Sequence, residues 1–213
     1  MEGKSPRGRH REAAENDVRI LDAAKAVFTD DPEAPISAVG ARAGVGKSAL
    51  YRRYASKEAL LRAVGEEVTE TYVALIERSH RALDDGVAPP AVLAAFLADA
   101  ASTGTHTMAL AISGRFDPSL RDQQRSAEGW EAGDRLVTRL RDAGALRAEV
   151  DWLDLNKLLE SLGALRAPEP ERAHELRRRY AAVLTAGLAP ASEPLPDSPA
   201  GPSDFGRTPA VRR

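Results

Sequence analysis

The sequence predicts an all-α chain, a small three-helix domain at the amino end followed by a larger helical bundle, and three observations predict it. Ala, Leu and Arg are abundant while only 5% of residues are aromatic, a balance that favours helices over sheets. Apolar residues recur at helical rather than alternating spacing in one segment after another. Gly, Pro and Asp-Pro breaks separate those segments. At 213 residues the chain is long enough to bury a substantial core in two helical domains.

Residues 1–15 carry Lys4, Arg7, Arg9 and Arg11 among small and polar residues without apolar periodicity, and read as a basic flexible arm. From Asn16, a suitable cap, Ile20, Ala24, Val27 and Phe28 mark one helix face, and Asp30-Asp31-Pro32 ends that helix. Ile36 to Lys57 then reads as two short helices joined by a glycine-bearing turn. Val39, Val45 and Leu50 point inward, Tyr54 closes the group, and small residues at Ala43 and Gly44 suit a steep helix crossing. Ser56 caps a long helix whose stripe runs through Leu60, Leu61, Val64, Val68, Tyr72, Leu75 and Ile76. This helix leaves the small domain, 16–62, and enters the larger one, 63–188, so a shift at its far end moves its near end.

Pro89-Pro90 opens a helix with Val92, Leu93, Phe96 and Leu97 inward. The stretch from Gly104 to Arg115 is apolar but laced with hydroxyls and glycine. Asp117-Pro118 supplies a cap with proline at the first helical position, ahead of a charged helix from Leu120 with Trp130, Gly133, Leu136, Val137 and Leu140 inward. Asp151 caps the next, banded by Trp152, Leu155, Leu158, Leu159, Leu162 and Leu165. Leu176, Tyr180, Val183, Leu184 and Leu188 stripe the last. Residues 189–213 are proline-rich, weakly apolar and expected to be disordered.

The chain has no cysteine, which excludes disulfide scaffolds, thiolate metal sites and cysteine nucleophiles. No apolar run approaches the roughly 20 residues that span a bilayer, and nothing near the start resembles a signal peptide, so a cytoplasmic protein without membrane contact is expected. No nucleophile elbow or catalytic pairing of His and carboxylate stands out, which argues against an enzyme. His106 has no partner at metal-ligand spacing, His80 and His174 being far off in sequence, so neither a metal nor a cofactor is expected. Gly44-Val45-Gly46-Lys47-Ser48 imitates the end of a phosphate-binding loop. The earlier glycine that such a loop needs is Ala41, and no strand leads in.

What separates Ile36 to Lys57 from the rest is charge. Arg42, Lys47, Arg52, Arg53 and Lys57 lie there without one Asp or Glu, in a chain of formal net charge −2, so this surface faces a polyanion. The run Ala43-Gly44-Val45 to Leu50-Tyr51, with Tyr54 and Ser56-Lys57-Glu58-Ala59-Leu60-Leu61, resembles the DNA-binding domain of the tetracycline-repressor-like (TetR/AcrR) transcriptional regulators. The chain departs from that pattern at Pro35, where a hydroxyl residue is common, and at Gly46, where Ser is usual.

The resemblance implies a helix-turn-helix at the amino end and a divergent carboxy-terminal domain for dimerisation and ligand binding. It points to Lys47, Ser48 and Ala49 for base or phosphate contact, Tyr51 and Arg52 for the DNA backbone, and Lys57 for a phosphate. Arg42 and Arg53 complete the basic set, Arg53 pointing away from Arg52. It also implies that the last two helices meet their symmetry mates as a four-helix bundle, giving a homodimer on a palindromic double-stranded operator with half-sites on the order of 34 Å apart or somewhat more. A pocket for an unidentified small-molecule effector is implied among the carboxy-terminal helices, with Phe96, Thr103, His106, Thr107, Met108, Ile112 and Trp130 as candidate lining. The function expected is a ligand-responsive repressor. The alternative is an effector-independent DNA-binding regulator acting through a protein partner on the proline-rich tail.

Overall fold

The computed structural model describes residues 6–112, 114–201 and 204, with the side chains of residues 6–14, Thr107, Leu110 and Pro170 outside the described residues. Among the described residues every regular element is helical: α1 Pro6–Asp30, α2 Ile36–Ala43, α3 Lys47–Arg53, α4 Lys57–Asp84, α5 Pro89–Thr103, α6 Thr105–Ile112, α7 Leu120–Asp142, α8 Trp152–Gly163 and α9 Pro170–Gly187. The chain divides into two compact units, residues 1–67 with 111–117, and 68–110 with 118–213. α4 supplies its first turns to the first unit and its remainder to the second.

The first unit packs α1, α2, α3 and the start of α4 around Ile20, Ala24, Phe28, Val39, Leu50, Leu60 and Val64, all nearly inaccessible to solvent. Gly44 ends α2 in the left-handed conformation at φ 64°, which an L side chain adopts only with strain, so this glycine is required by the turn. The close approach expected at Ala43 and Gly44 falls instead on Gly40. A Cβ there would stand 3.0 Å from Leu50 Cδ2, whereas one on Gly44 would meet nothing within 4 Å.

Residues 111–117 join this unit through three contacts. The Phe116 ring lies on the bare backbone of Gly65, so closely that a Cβ would sit 2.6 Å from Cζ. Arg115 pairs with Glu33, and Arg62 Nε donates to the Asp117 carbonyl at 3.2 Å.

The structure also shows where helices start, and corrects the sequence expectations for the arm and for two caps. The arm expected at 1–15 is helical from Pro6, because proline suits a first helical turn and the Arg, Glu and Ala that follow are strong helix formers; residues 1–5 lie outside the described residues. Asn16 is therefore inside α1, accepting from Arg19, and caps nothing. The hydroxyl-laced stretch forms α6, whose start at Thr105 follows Gly104 in the left-handed conformation. The cap of α7 is Ser119 and not Asp117, because Ser119 and Asp122 satisfy each other: Ser119 Oγ accepts the Asp122 amide at 3.2 Å and Asp122 Oδ2 accepts the Ser119 amide at 2.7 Å.

The second unit is built on a core of Leu75, Ile76, Leu93, Phe96, Leu97, Leu136, Leu140, Leu146, Trp152, Leu155 and Leu159. Trp152 lies flat on α7 where Gly133 has no side chain; a Cβ there would intrude to 2.0 Å. α9 buries Ala173, Ala181 and Leu188, while Tyr180 and Val183, expected inward, are 43% and 57% exposed. The small alanines let α9 lie close to α5, while Tyr180 and Val183 turn outward and Leu184 packs against the core.

The tail expected to be disordered is laid against the second unit as far as Asp204, residues 202, 203 and 205–213 being outside the described residues. Nearly buried Arg147 donates to the Glu193 carbonyl, Asp154 Oδ1 accepts the Ala200 amide at 2.9 Å, and Lys157 Nζ donates to the Asp204 carbonyl at 2.7 Å. Proline lowers the entropy such a segment loses on docking, which composition alone does not reveal.

Candidate functional site

α2 and α3 form one cationic surface. Arg42, Lys47, Ser48, Tyr51, Arg52 and Arg53 are exposed and Ala49 is half-buried. All of these but Arg42 come from α3, which lifts them above the buried anchor Leu50. Lys47 lies over the Tyr51 ring, its Nζ 5.9 Å from the centroid.

Arg53 and Lys57 are held differently from Arg42, Lys47 and Arg52. Arg53 Nε and Nη2 donate to the two carboxylate oxygens of Asp17 at 2.7 and 2.6 Å, and the Tyr54 hydroxyl donates to Asp17 Oδ1 at 2.7 Å. The result is a fork that ties the end of α3 to α1. Burial pushes the Asp17 carboxyl up, but the bonds from Arg53 and Tyr54 and the Arg53 charge outweigh it and leave it lowered. Burial and the Asp17 bond hold the Tyr54 hydroxyl protonated. Lys57 Nζ donates to the Pro32 carbonyl at 2.9 Å, lies over the Phe28 ring at 5.5 Å and has Glu33 at 3.9 Å.

The fork was not visible in sequence, since Asp17 lies 36 residues from Arg53 and α1 carries other acids.

The second unit gathers some of the candidate ligand residues and disperses others. Phe96, His106 and Trp130 meet around Tyr72 and Trp152. Tyr72 stacks on Trp152 with centroids 5.8 Å apart, meets His106 edge-on at 4.7 Å and Phe96 at 6.2 Å, and Trp130 stands edge-on to Trp152 at 6.4 Å. Thr103 is exposed and bonds the Ala100 carbonyl of its own helix at 3.0 Å. Met108 is buried, Ile112 is buried and belongs to the first unit, and the Thr107 side chain lies outside the described residues. Asn156 was missed: its Oδ1 is 3.0 Å from both the Tyr72 hydroxyl and His106 Nε2. The signal for it was an amide among Trp152, Leu155 and Leu159, where the buried face of α8 is otherwise apolar. Among the described residues no three His, Asp or Glu side chains converge as a metal site.

Two short helices crossing over a glycine turn, roofed by a third and edged with exposed cations, define the helix-turn-helix class. Residues 20–64 match the family model described as bacterial regulatory proteins, tetR family, and residues 88–190 match that of the SbtR-like transcriptional regulator C-terminal domain. The chain belongs to the TetR family.

Over 60 residues it is 43% identical to the HTH-type transcriptional repressor LfrR of Mycolicibacterium smegmatis, a match covering 28% of this chain and about a third of that one, 32%. The fold is shared with the TetR transcription regulatory protein of Mycobacterium vanbaalenii, at 24% identity and TM-score 0.55 over 84% of this chain and 98% of that one. It is shared equally with LfrR of Mycobacterium smegmatis in complex with proflavine, at 22% identity and TM-score 0.55 over 79% and 95% of the two chains.

Proposed function

We propose that this protein is a DNA-binding transcriptional regulator, a repressor that leaves a palindromic operator when a small molecule binds its second unit. The observation that carries the reading is the α2–α3 surface, where Arg42, Lys47 and Arg52 are exposed and, among the described residues, take part in no ion pair, with no acid on either helix. Phosphate is the partner that such a surface lacks. In this reading Lys47, Ser48 and Ala49 meet base edges or phosphates at the start of α3, and Tyr51 and Arg52 hold the backbone. Arg53 ties the end of α3 to α1, and Lys57 ties the start of α4 to the end of α1 and the turn after it.

The naming of LfrR as a repressor, and its complex with proflavine, support repression and a small-molecule effector. Exposed Tyr180 and Val183 on α9 support a homodimer, because a single half-site offers too few contacts for specificity. In this reading a DNA partner implies a cytoplasmic protein, and among the described residues no helix is long and apolar enough to cross a membrane. The effector-independent alternative has less support, since the described tail is engaged with its own chain at Arg147, Asp154 and Lys157.

The test is a gel-shift titration with duplex DNA from the gene's own upstream region, at low and high salt, with and without a low-molecular-weight cell fraction. Saturable, salt-sensitive binding that the fraction reverses is expected. Absence of binding to any fragment at low salt sinks the regulator reading, and binding that no fraction reverses sinks the ligand-responsive part.

A further inference from the structure

Asn156 fixes the polarity of the aromatic cluster. Its Nδ2 donates to the Trp152 carbonyl at 2.6 Å, which assigns the amide and leaves Oδ1 as a pure acceptor. Two groups converge on that oxygen at 3.0 Å, the Tyr72 hydroxyl and His106 Nε2. Both must donate, so His106 carries its proton on Nε2. Burial disfavours the imidazolium and outweighs the opposing Asn156 bond and Glu160 charge, so the ring is neutral. Its other nitrogen, Nδ1, is then a bare lone pair on the opposite flank of the ring, sealed from solvent and without a hydrogen-bond partner.

A buried acceptor left unmade is costly and rare in native proteins, so it calls for a partner. Tyr72 and His106 are half-buried, so each keeps some accessible surface. The stacked Tyr72 and Trp152 rings, 23° from parallel, with Phe96 tilted against both, make the surroundings of His106 flat and apolar.

We propose that the second unit recognises its effector as an uncharged hydrogen-bond donor, an O–H or N–H carried on a flat apolar body. The donor's hydrogen goes to His106 Nδ1 and the body lies against Tyr72, Phe96 and Trp152. This rests on the reading that the protein is ligand-responsive. It selects against carboxylates, whose charge would face a lone pair in an apolar setting, and against molecules that only accept.

The full-length protein, without DNA, is titrated calorimetrically with 2-naphthol and with 2-methoxynaphthalene, which share a body and differ by one donor. The naphthol is expected to bind at least tenfold more tightly, and His106→Phe is expected to bring the two within about twofold. On wild-type protein, ¹⁵N spectra of the labelled imidazoles supply a readout that needs no variant. Free His106 is expected to show a protonated Nε2 and a bare Nδ1, and naphthol is expected to move only Nδ1 toward its hydrogen-bonded position.

Equal affinities, no binding by either probe, a preference that survives His106→Phe, or a protonated Nδ1 would each overturn the proposal. So would an Nδ1 already hydrogen-bonded before any probe is added, which is the sign of a resident water only. A naphthol preference that leaves operator binding untouched would instead count against the ligand-responsive reading and leave the polarity assignment standing.

Discussion

At the scale of single residues, cations of the same kind hold different posts. Arg52 and Arg53 are neighbours in sequence, yet Arg53 is committed to Asp17 through two bonds while the Arg52 side chain is exposed and bonds nothing among the described residues. In Arg52→Ala or Lys47→Ala, operator affinity is expected to fall and the slope of log affinity against log salt to flatten by up to about one per lost phosphate contact. Arg53→Ala is expected to lower the melting temperature more than either and to change the salt slope less. Equal slope changes at positions 52 and 53 would show that Arg53 leaves Asp17 to reach DNA.

Asp17 titrates below its ordinary value, so the sign of its pH effect follows. Its contribution is complete above the unfolded carboxyl value of about 3.9 and is lost as pH falls through the lowered folded value. Asp17→Asn should therefore lower the thermal midpoint at pH 7 and narrow its deficit to wild type on acidification below about pH 4. A deficit constant across that range would mean that the fork adds no charge-dependent stability.

At the scale of elements, caps decide where helices begin. Ser119→Ala removes half of a reciprocal box at an exposed helix start and is expected to cost about 1 kcal/mol in denaturant unfolding. Asp154 does more: Oδ2 accepts the Asp151 amide at 3.0 Å and Oδ1 the Ala200 amide at 2.9 Å, so one carboxylate closes the α8 box and anchors the tail. Asp154→Ala is expected to cost about 2 kcal/mol. Ending the chain at residue 188 should cost less than that variant while making Arg147 and the start of α8 more open to hydrogen exchange. An unchanged exchange pattern after truncation would mean that the docked tail carries no stability.

The start of α8 was legible, because Asp151 precedes an apolar band. The start of α7 was not, because Asp117-Pro118 and Ser119 offer competing caps and only the position of Asp122 chooses between them. The outward turn of Tyr180 and Val183 was also hidden, since an apolar stripe does not say which of its residues meets the core and which waits for another surface.

On the whole molecule, function in the proposed reading needs two copies. Val183→Glu places a charge on the exposed apolar face of α9 without touching the core. It is expected to leave helicity intact, to shift sedimentation from dimer to monomer, and to abolish specific operator binding. A variant that remains dimeric would move the interface elsewhere. Within the first unit, Gly65→Ala pushes against the Phe116 ring and is expected to loosen residues 111–117. Restoring their protection with Phe116→Leu would show that this one contact seats the segment.

Local sequence by itself determined the helical class, the two short helices with their acid-free cationic face, and most of the core, because helix period, glycine turns and net charge act over a few residues at a time. Tertiary structure alone decided which cations are free, which histidine nitrogen holds its proton and where the tail lies. Each of these depends on a partner brought close from tens of residues away, such as Asp17 for Arg53, Asn156 for His106 and Glu193 for Arg147. A one-dimensional pattern carries no measure of that proximity.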